Sequence, residues 1–340
     1  MSKRTIIIAE AGVNHNGSLE RALSLVDCAA EAGVDFVKFQ TFKADDLVSK
    51  EARKADYQIN NTKAGDDKQY EMLKSLELSE RDHNTLIKHA RAMGVAFFST
   101  AFDVKGLEFL YNLGFDLFKV PSGEITNYLY LKKLAAFGKP VILSTGMANM
   151  KEIERALEVL TSERLTKKDI TVLHCNTEYP TPMEDVNLKA MNTIANELGV
   201  KVGYSDHTLG IEVPIAAVAL GAQVIEKHFT LDRSLPGPDH SASLEPNELA
   251  AMVRSIRNTE LALIGDGDKK TSKSERKNLT HGRKSLYYSK DLPINHTLTV
   301  SDFICLRPGN GINPMEIPTI IGKKLKKTVH KLEKVSLEDL

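Results

Sequence analysis

Eight times along the chain, a short apolar run ends in a cluster of polar or ionisable residues. TIIIAE closes on Glu10, FVKFQT carries Lys38 and Gln40, VAFFST ends in Ser99 and Thr100, and LFKVPSGE brings Lys119, Ser122 and Glu124. PVILST follows with Ser144 and Thr145, and TVLHCNTE with Asn176 and Thr177. KVGYSDH adds Ser205, Asp206 and His207, and QVIEKHF adds Glu226, Lys227 and His228. Runs of this length, separated by stretches with a 3.6-residue apolar period, predict alternating strands and helices. Eight such units predict a (β/α)8 TIM barrel, an α/β fold whose active site lies at the C-terminal ends of the strands. The eight polar clusters then converge on one rim.

The intervening stretches support this. Leu19, Ala22, Leu23, Val26 and Ala30 define one helical face behind a Ser18 N-cap. Ser79 and Asp82 have capping-box spacing ahead of Leu86, Ala90 and Met93. Ile153, Ala156, Leu157 and Leu160 mark another helix, and Pro246 suits a first turn ahead of Leu249, Met252, Val253 and Ile256. Two segments depart from the pattern. Lys43–Glu77 is a long polar insertion after the second strand, at the catalytic face, where loops serve as lids or substrate contacts. From Gly265 the chain becomes Gly-, Ser- and charge-rich, which reads as a linker. Short β-like runs with frequent turn residues follow. The expected organisation is a barrel over 1–264, a linker over 265–284 and a small β-rich module over 285–340.

Composition narrows the class. The 340 residues exceed the roughly 250 of a barrel alone, and 42% are apolar, enough for a large core. Charge is balanced at 45 basic and 45 acidic residues, so no global field draws in nucleic acid or membrane. Three cysteines, Cys28, Cys175 and Cys305, form neither a disulfide framework nor a zinc motif. These features predict a cytoplasmic protein with no nucleic-acid or membrane partner.

The rim residues suggest chemistry. His207 and His228 end adjacent strands, so two imidazoles can face one divalent metal and leave positions open for substrate. Without a thiolate cluster, Mn²⁺ or Mg²⁺ suits such a pair better than tightly held zinc. Asp206, Asp239 and His240 are candidates to support the ligands. Lys38 and Lys119 sit inside apolar runs, where a lysine needs an anion. With Ser122, Ser144, Thr145, Thr177 and Ser205 around them, they suit a phosphate together with a carboxylate. Of the strand-end carboxylates, Glu10 is the best candidate to handle a proton or position water, because Gly12 and Gly17 let the backbone approach a ligand. Glu124 also ends a strand. Glu226, beside Lys227, reads as structural. A Schiff base on Lys38 or Lys119 stays open at this point.

Taken in order, IIIAEAGVNHNG, DFVKFQTFKADDLV, VPSGEITN, LSTGM, HCNTEYPTP, VGYSDHTLG and VIEKHFTLDRSLPGPDHSASLEP resemble the sialic acid synthase family. The C-terminal module, with LRPGNGI, is similar to the antifreeze-like (SAF, β-clip) domain that ends these synthases. The resemblance implies condensation of phosphoenolpyruvate with an open-chain N-acetylmannosamine-type sugar and water. The product would be an N-acetylneuraminate-type nine-carbon α-keto acid, with phosphate lost by C–O cleavage. Glu10, Lys38 and Lys119 would be catalytic. Phosphoenolpyruvate would meet Lys38, Thr100, Lys119, Ser122, Ser144 and Ser205, with a further contact at Asn176 or Thr177. Gln40, Glu124, Tyr179, Asp239 and Arg307 would face the sugar, and His207 and His228 would hold the metal, Mn²⁺ first, with Mg²⁺ or Co²⁺ as alternatives. Arg307 would reach the partner subunit's site in a domain-swapped homodimer. The HCNTEYPTPMEDVNLKAM and QYEMLKSLELS segments also fit synthases of N,N'-diacetyllegionaminate, whose acceptor is 2,4-diacetamido-2,4,6-trideoxymannose; pseudaminate synthases are more distant. A non-catalytic carbohydrate-binding barrel would have no need of the two lysines and the histidine pair.

Overall fold

The computed structural model describes residues 4–62 and 68–340, so the first three residues and positions 63–67 of the insertion lie outside the described residues. The chain divides into two compact units, Met1–Ile264 and Gly265–Leu340.

In the first unit the strands are β1 (Ile6–Gly12), β2 (Phe36–Thr41), β3 (Ala96–Ala101) and β4 (Phe118–Val120). They continue with β5 (Val141–Ser144), β6 (Ile170–His174), β7 (Lys201–Asp206) and β8 (Val224–His228). The ladders are parallel in the order β3-β2-β1-β8-β7-β6-β5-β4. The helices up to the third strand are α1 (Leu19–Ala32), α2 (Ala44–Leu47), α3 (Asp56–Thr62), α4 (Gln69–Ser75) and α5 (Glu80–Met93). After it come α6 (Val104–Asn112), α7 (Tyr128–Phe137), α8 (Met150–Leu160), α9 (Lys189–Leu198), α10 (Glu212–Ala219) and α11 (Pro246–Ala262). This is the (β/α)8 barrel the apolar pattern predicts. Where β3 and β4 meet, the buried Tyr130 hydroxyl of α7 bridges them, 2.8 Å from the Ala101 carbonyl and 3.1 Å from that of Lys119.

Local signals set the helix ends. The Ser18 side chain accepts from the Arg21 amide, Ser79 and Asp82 form a reciprocal capping box, and Pro246 occupies the first turn of α11. The buried stripe of α1 is shifted slightly from the one predicted. Leu25 and Ala29 join Ala22 and Val26 in its centre, while Leu19, Leu23 and Ala30 pack at its margin. The helices lay their apolar faces on the outside of the barrel, burying Leu25, Leu86, Leu107, Leu134 and Leu157 in one continuous core. The insertion is not plain loop: it winds into α2, α3 and α4, and the side chains of α4 line the barrel mouth.

The second unit has its own core of Leu286, Tyr288, Leu292, Leu298, Ile320, Leu325, Val329 and Val335. Its strands β9 (Ser285–Tyr288) and β10 (Phe303–Leu306) are antiparallel, and isolated bridges extend the β-like pairing. A short helix, α12 (Asn278–Gly282), lies within the segment that reads as linker. The Thr280 carbonyl accepts the Gly309 amide at 2.7 Å, joining that segment to the loop after β10. Among the described residues, no helix is long and apolar enough to cross a membrane.

Candidate active site at the barrel mouth

Strand side chains alternate between the barrel interior and the helical layer. The lowest interior layer is apolar, with Ile8, Phe98, Ile142, Leu173 and Val224. Two residues further along the same strands come Glu10, Thr100, Ser144, Cys175 and Glu226. These form the floor of a cavity of about 860 Å³ that Lys38, Lys119, His207 and His228 also line.

Register explains the contacts on this floor. Glu10 of β1 lies opposite Lys38 of β2 on one side and His228 of β8 on the other. The Lys38 ammonium is 2.5 Å from Glu10 Oε2, donates to Thr100 Oγ1 at 2.9 Å and lies 3.5 Å from Glu226 Oε2. Lys119 donates to Ser144 Oγ at 2.7 Å and is 3.5 Å from Glu226 Oε1, which also accepts from Ser205 Oγ at 3.0 Å. All four charged groups are buried. Burial raises the Glu10 carboxyl to about 7 against the pull of Lys38, with the Glu226 charge adding to the rise. Burial acts the same way on Glu226, but Lys119 and Lys38 outweigh it and hold that carboxyl near 2. Burial also draws Lys119 below the usual lysine range. Glu10 is therefore the group on this floor able to exchange a proton near neutrality.

Glu226 corrects the sequence reading. Its neighbour in the chain is Lys227, but strand alternation turns the two to opposite faces. Glu226 points inward between the lysines. Lys227 points outward to Asp206, at 2.5 Å, with both side chains fully buried. Asp206 thus pairs with lysine rather than standing behind a histidine. His240 likewise bonds Thr230 and Asn16, and Thr145 donates to the Leu173 carbonyl.

The histidine rings lie 5.3 Å apart, with the Tyr179 ring 4.1 Å from His207 and 5.6 Å from His228. His207 Nδ1 donates to the Asn176 carbonyl at 2.5 Å, leaving Nε2 with the lone pair. His228 Nδ1 is buried without a hydrogen-bond partner, and Asp239 Oδ2 lies 3.7 Å from it. Burial lowers His207 to about 4 and His228 well below its ordinary value, so both imidazoles are neutral at pH 7. Two neutral rings and an orphaned nitrogen fit a divalent cation. Among the described residues, no group of three or more His, Cys, Asp and Glu converges as a metal cage, so such a cation would take its remaining ligands from water or substrate.

The other expected residues fall around this centre. Gln40 Nε2 donates to Glu10 Oε1 at 3.4 Å. Ser122 Oγ accepts the Gly146 amide at 3.0 Å. A Cβ on Gly146 would lie 2.4 Å from Thr177 Cγ2, so this turn has no room for a side chain. Thr177, Tyr179, Glu124 and Asp239 line the cavity, whereas the Asn176 side chain turns to accept the Glu178 amide. Burial raises Asp239 to about 6. Arg307 belongs to the second unit, where it is exposed and donates through Nε to the Gly282 carbonyl at 3.2 Å. The sequence reading missed Glu226, Cys175 and the apolar wall of Met72 and Leu73. The alternation Val224–Glu226–His228 was the available signal for the first.

Two buried ammonium groups, a carboxyl poised near neutrality and a pair of neutral imidazoles at a barrel's catalytic end define an enzyme, of the barrel class that handles anionic substrates. Residues 25–269 match the NeuB family and residues 283–340 match the SAF domain, and the chain belongs to the NeuB family. It is 52% identical over 321 residues to N,N'-diacetyllegionaminic acid synthase of Campylobacter jejuni, covering 94% of this chain and 96% of that one. Identity to the Legionella pneumophila protein of the same name is 50% over 326 residues, covering 95% and 91%. The crystal structure of N-acetylneuraminic acid (sialic acid) synthetase from Leptospira borgpetersenii superposes with a TM-score of 0.70 at 35% identity, covering 82% of this chain and 92% of that one.

Proposed function

We propose that the chain is a nonulosonic acid synthase that makes N,N'-diacetyllegionaminate from phosphoenolpyruvate, water and open-chain 2,4-diacetamido-2,4,6-trideoxymannose. The observation that carries this is the pair of N,N'-diacetyllegionaminic acid synthases at 52% and 50% identity, each aligned along nearly its whole length. N-acetylneuraminate formation from N-acetylmannosamine is the second reading, favoured by the Leptospira synthetase at 35% identity.

The site's chemistry supports a carbon–carbon bond-forming synthase. Lys38 and Lys119, with Thr100, Ser122, Ser144, Thr177 and Ser205, offer charge and hydroxyls to phosphate and carboxylate. Gln40, Glu124, Tyr179 and Asp239 line the space left for the sugar. A divalent cation, Mn²⁺ in this proposal, would be held by His207 and His228 and would supply Lewis acidity toward the sugar aldehyde. C3 of phosphoenolpyruvate attacks the aldehyde carbon with the electron pair of its C2–C3 double bond, the aldehyde oxygen takes up a proton to become a hydroxyl, and C2 gains oxocarbenium character. Glu10, titrating near 7, can take a proton from the water that adds to C2. The resulting tetrahedral carbon expels phosphate by C–O cleavage, and the lysines offset the charge that grows on the leaving group. The SAF unit completes the site in trans, with Arg307 of one subunit reaching the sugar in its partner, in a homodimer.

Phosphate release from phosphoenolpyruvate tests the reading, with each sugar supplied in turn and with or without EDTA. The expected result is EDTA-sensitive release with the diacetamido sugar at a kcat/KM above that for N-acetylmannosamine. Preference for N-acetylmannosamine would move the assignment to N-acetylneuraminate, and no release with either sugar would end it.

A further inference from the structure

The cavity wall is chemically divided. Around β5 to β8 it presents Ser144, Thr177, Ser205, Glu226 and the histidines. Around β1 to β3 it turns apolar directly above the floor. Val13 follows Gly12, Phe42 stands two residues past Gln40, and Phe102 stands two past Thr100. Two residues along an extended strand raise a side chain by about 6.6 Å. The insertion completes this side with Leu47, Met72, Leu73 and Leu76, and also lines the cavity with Asp56, Gln58 and Gln69, where Gln58 Oε1 accepts from the Ala55 amide at 3.0 Å and from Gln69 Nε2 at 3.2 Å. Val13, Phe42 and Leu76 are buried as a small cluster separate from the main core, and the remaining four pack against it while keeping part of their surface open.

This wall is wrong for hydroxyls and right for methyl groups. A sugar hydroxyl buried against the side chains of Val13, Phe42, Phe102, Met72 and Leu73 would lose water without gaining a partner, whereas a methyl would gain by leaving water. Phosphoenolpyruvate has no methyl group. Its anionic groups belong with the lysines on the floor, and an acceptor carbonyl belongs near the histidines beside it. The far end of an open-chain acceptor then rises toward the apolar layer. A sugar with hydroxyls at C4 and C6 is mismatched there. One with an acetamido group at C4 and a methyl at C6 is complementary.

We propose that Val13, Phe42, Phe102, Leu73 and Met72 form the specificity pocket for the distal end of the acceptor, receiving its C6 methyl and C4-acetamido methyl. The assignment rests on reading the chain as a nonulosonic acid synthase and adds the element that selects among acceptors. Met72, partly exposed on α4, is the residue to change, because a substitution there leaves the buried cluster in place.

The experiment compares wild type, Met72→Gln and Met72→Ala as metal-loaded full-length enzymes. It reads kcat/KM for 2,4-diacetamido-2,4,6-trideoxymannose and for N-acetylmannosamine, with thermal melting as the check on folding. Glutamine keeps the length and adds a polar end, so the ratio of the two kcat/KM values should fall about tenfold or more toward N-acetylmannosamine. Alanine removes contact without adding polarity, so its ratio should fall by a smaller factor. An unchanged ratio in both variants would overturn the pocket, whether or not overall activity drops. Wild-type preference for N-acetylmannosamine would instead overturn the choice of acceptor, and the pocket with it. Wild-type inactivity toward both sugars would remove the synthase reading itself.

Discussion

Lys227→Met should destabilise the barrel strongly, through a group that never touches the cavity. The Lys227 ammonium is 2.5 Å from Asp206 Oδ2 and 2.5 Å from the Thr208 carbonyl, so it ties down the residues on both sides of His207. It also immediately precedes His228. At an effective dielectric constant near 20, the attraction at 2.5 Å is about 7 kcal/mol, on the scale of what desolvating the two ions costs. The pair's net worth is therefore small, but breaking it leaves the Asp206 carboxylate fully buried with only the Thr208 amide and hydroxyl. That one-sided loss costs about 3–5 kcal/mol, a large share of a stability of about 5–15 kcal/mol. Replacing both residues, Asp206→Asn with Lys227→Met, removes the stranded charge and should cost only about 1–2 kcal/mol. Urea unfolding in EDTA measures both, and Mn²⁺ titration followed by electron paramagnetic resonance reports whether His207 and His228 still bind the cation. A single-variant cost below about 1 kcal/mol, or a double variant as unstable as the two singles summed, would refute the reasoning.

Three further outcomes are expected. His207→Ala and His228→Ala should each lower kcat/KM by about a thousandfold or more while circular dichroism stays that of the wild type, and metal-stripped wild type should match them until Mn²⁺ is restored. Glu10 titrates at about 7 in the fold against 4.5 when unfolded, so its contribution to stability is complete below pH 4.5 and is lost as pH rises through 7. Glu10→Gln cannot ionise, so ligand-free Glu10→Gln should be more stable than wild type above pH 7 and match it near pH 4; a pH-independent gap in urea unfolding would contradict this. Arg307→Ala and Lys119→Ala homodimers should be nearly inactive alone, and randomly exchanged mixtures should regain roughly a quarter of wild-type activity; verified exchange without recovery would keep Arg307 out of the partner's site.

The strands were legible because each is a compact apolar run closed by polar residues, and parallel barrel strands are buried on both faces. The capping signals at Ser18, Ser79 and Pro246 read correctly because they act within one turn of the chain. Glu226 was misread for a physical reason. Adjacency to Lys227 suggests a pair in one dimension, while a period of two sends neighbours to opposite faces. Asp206 and its partner Lys227 are the same effect seen from outside the barrel. The helices α2 to α4 were hidden because they are short, polar on one side and seated on residues more than twenty positions away. Whether position 176 or 177 faces the cavity depends on the local turn, which no periodicity reports. The role proposed for Arg307 rests on the LRPGNGI resemblance alone, since an exposed arginine in a β-rich module carries no signal of its own.

Glu226 lies 3.5 Å from each of the two lysine nitrogens, and that placement bears on what the enzyme can hold and how quickly it lets go. A carboxylate fixed there is a tethered rival for every anion that enters. It cannot diffuse away, so its effective concentration is set by strand geometry rather than by the medium. A singly charged ion such as chloride merely exchanges one partner for another and is poorly retained. A ligand bearing both a phosphate and a carboxylate can outcompete the tether. The same rivalry runs in reverse at the end of a cycle: as free phosphate loosens, Glu226 is already in place to reoccupy the lysines and hasten departure. Where product release limits turnover, such a tether raises the rate at the expense of binding strength.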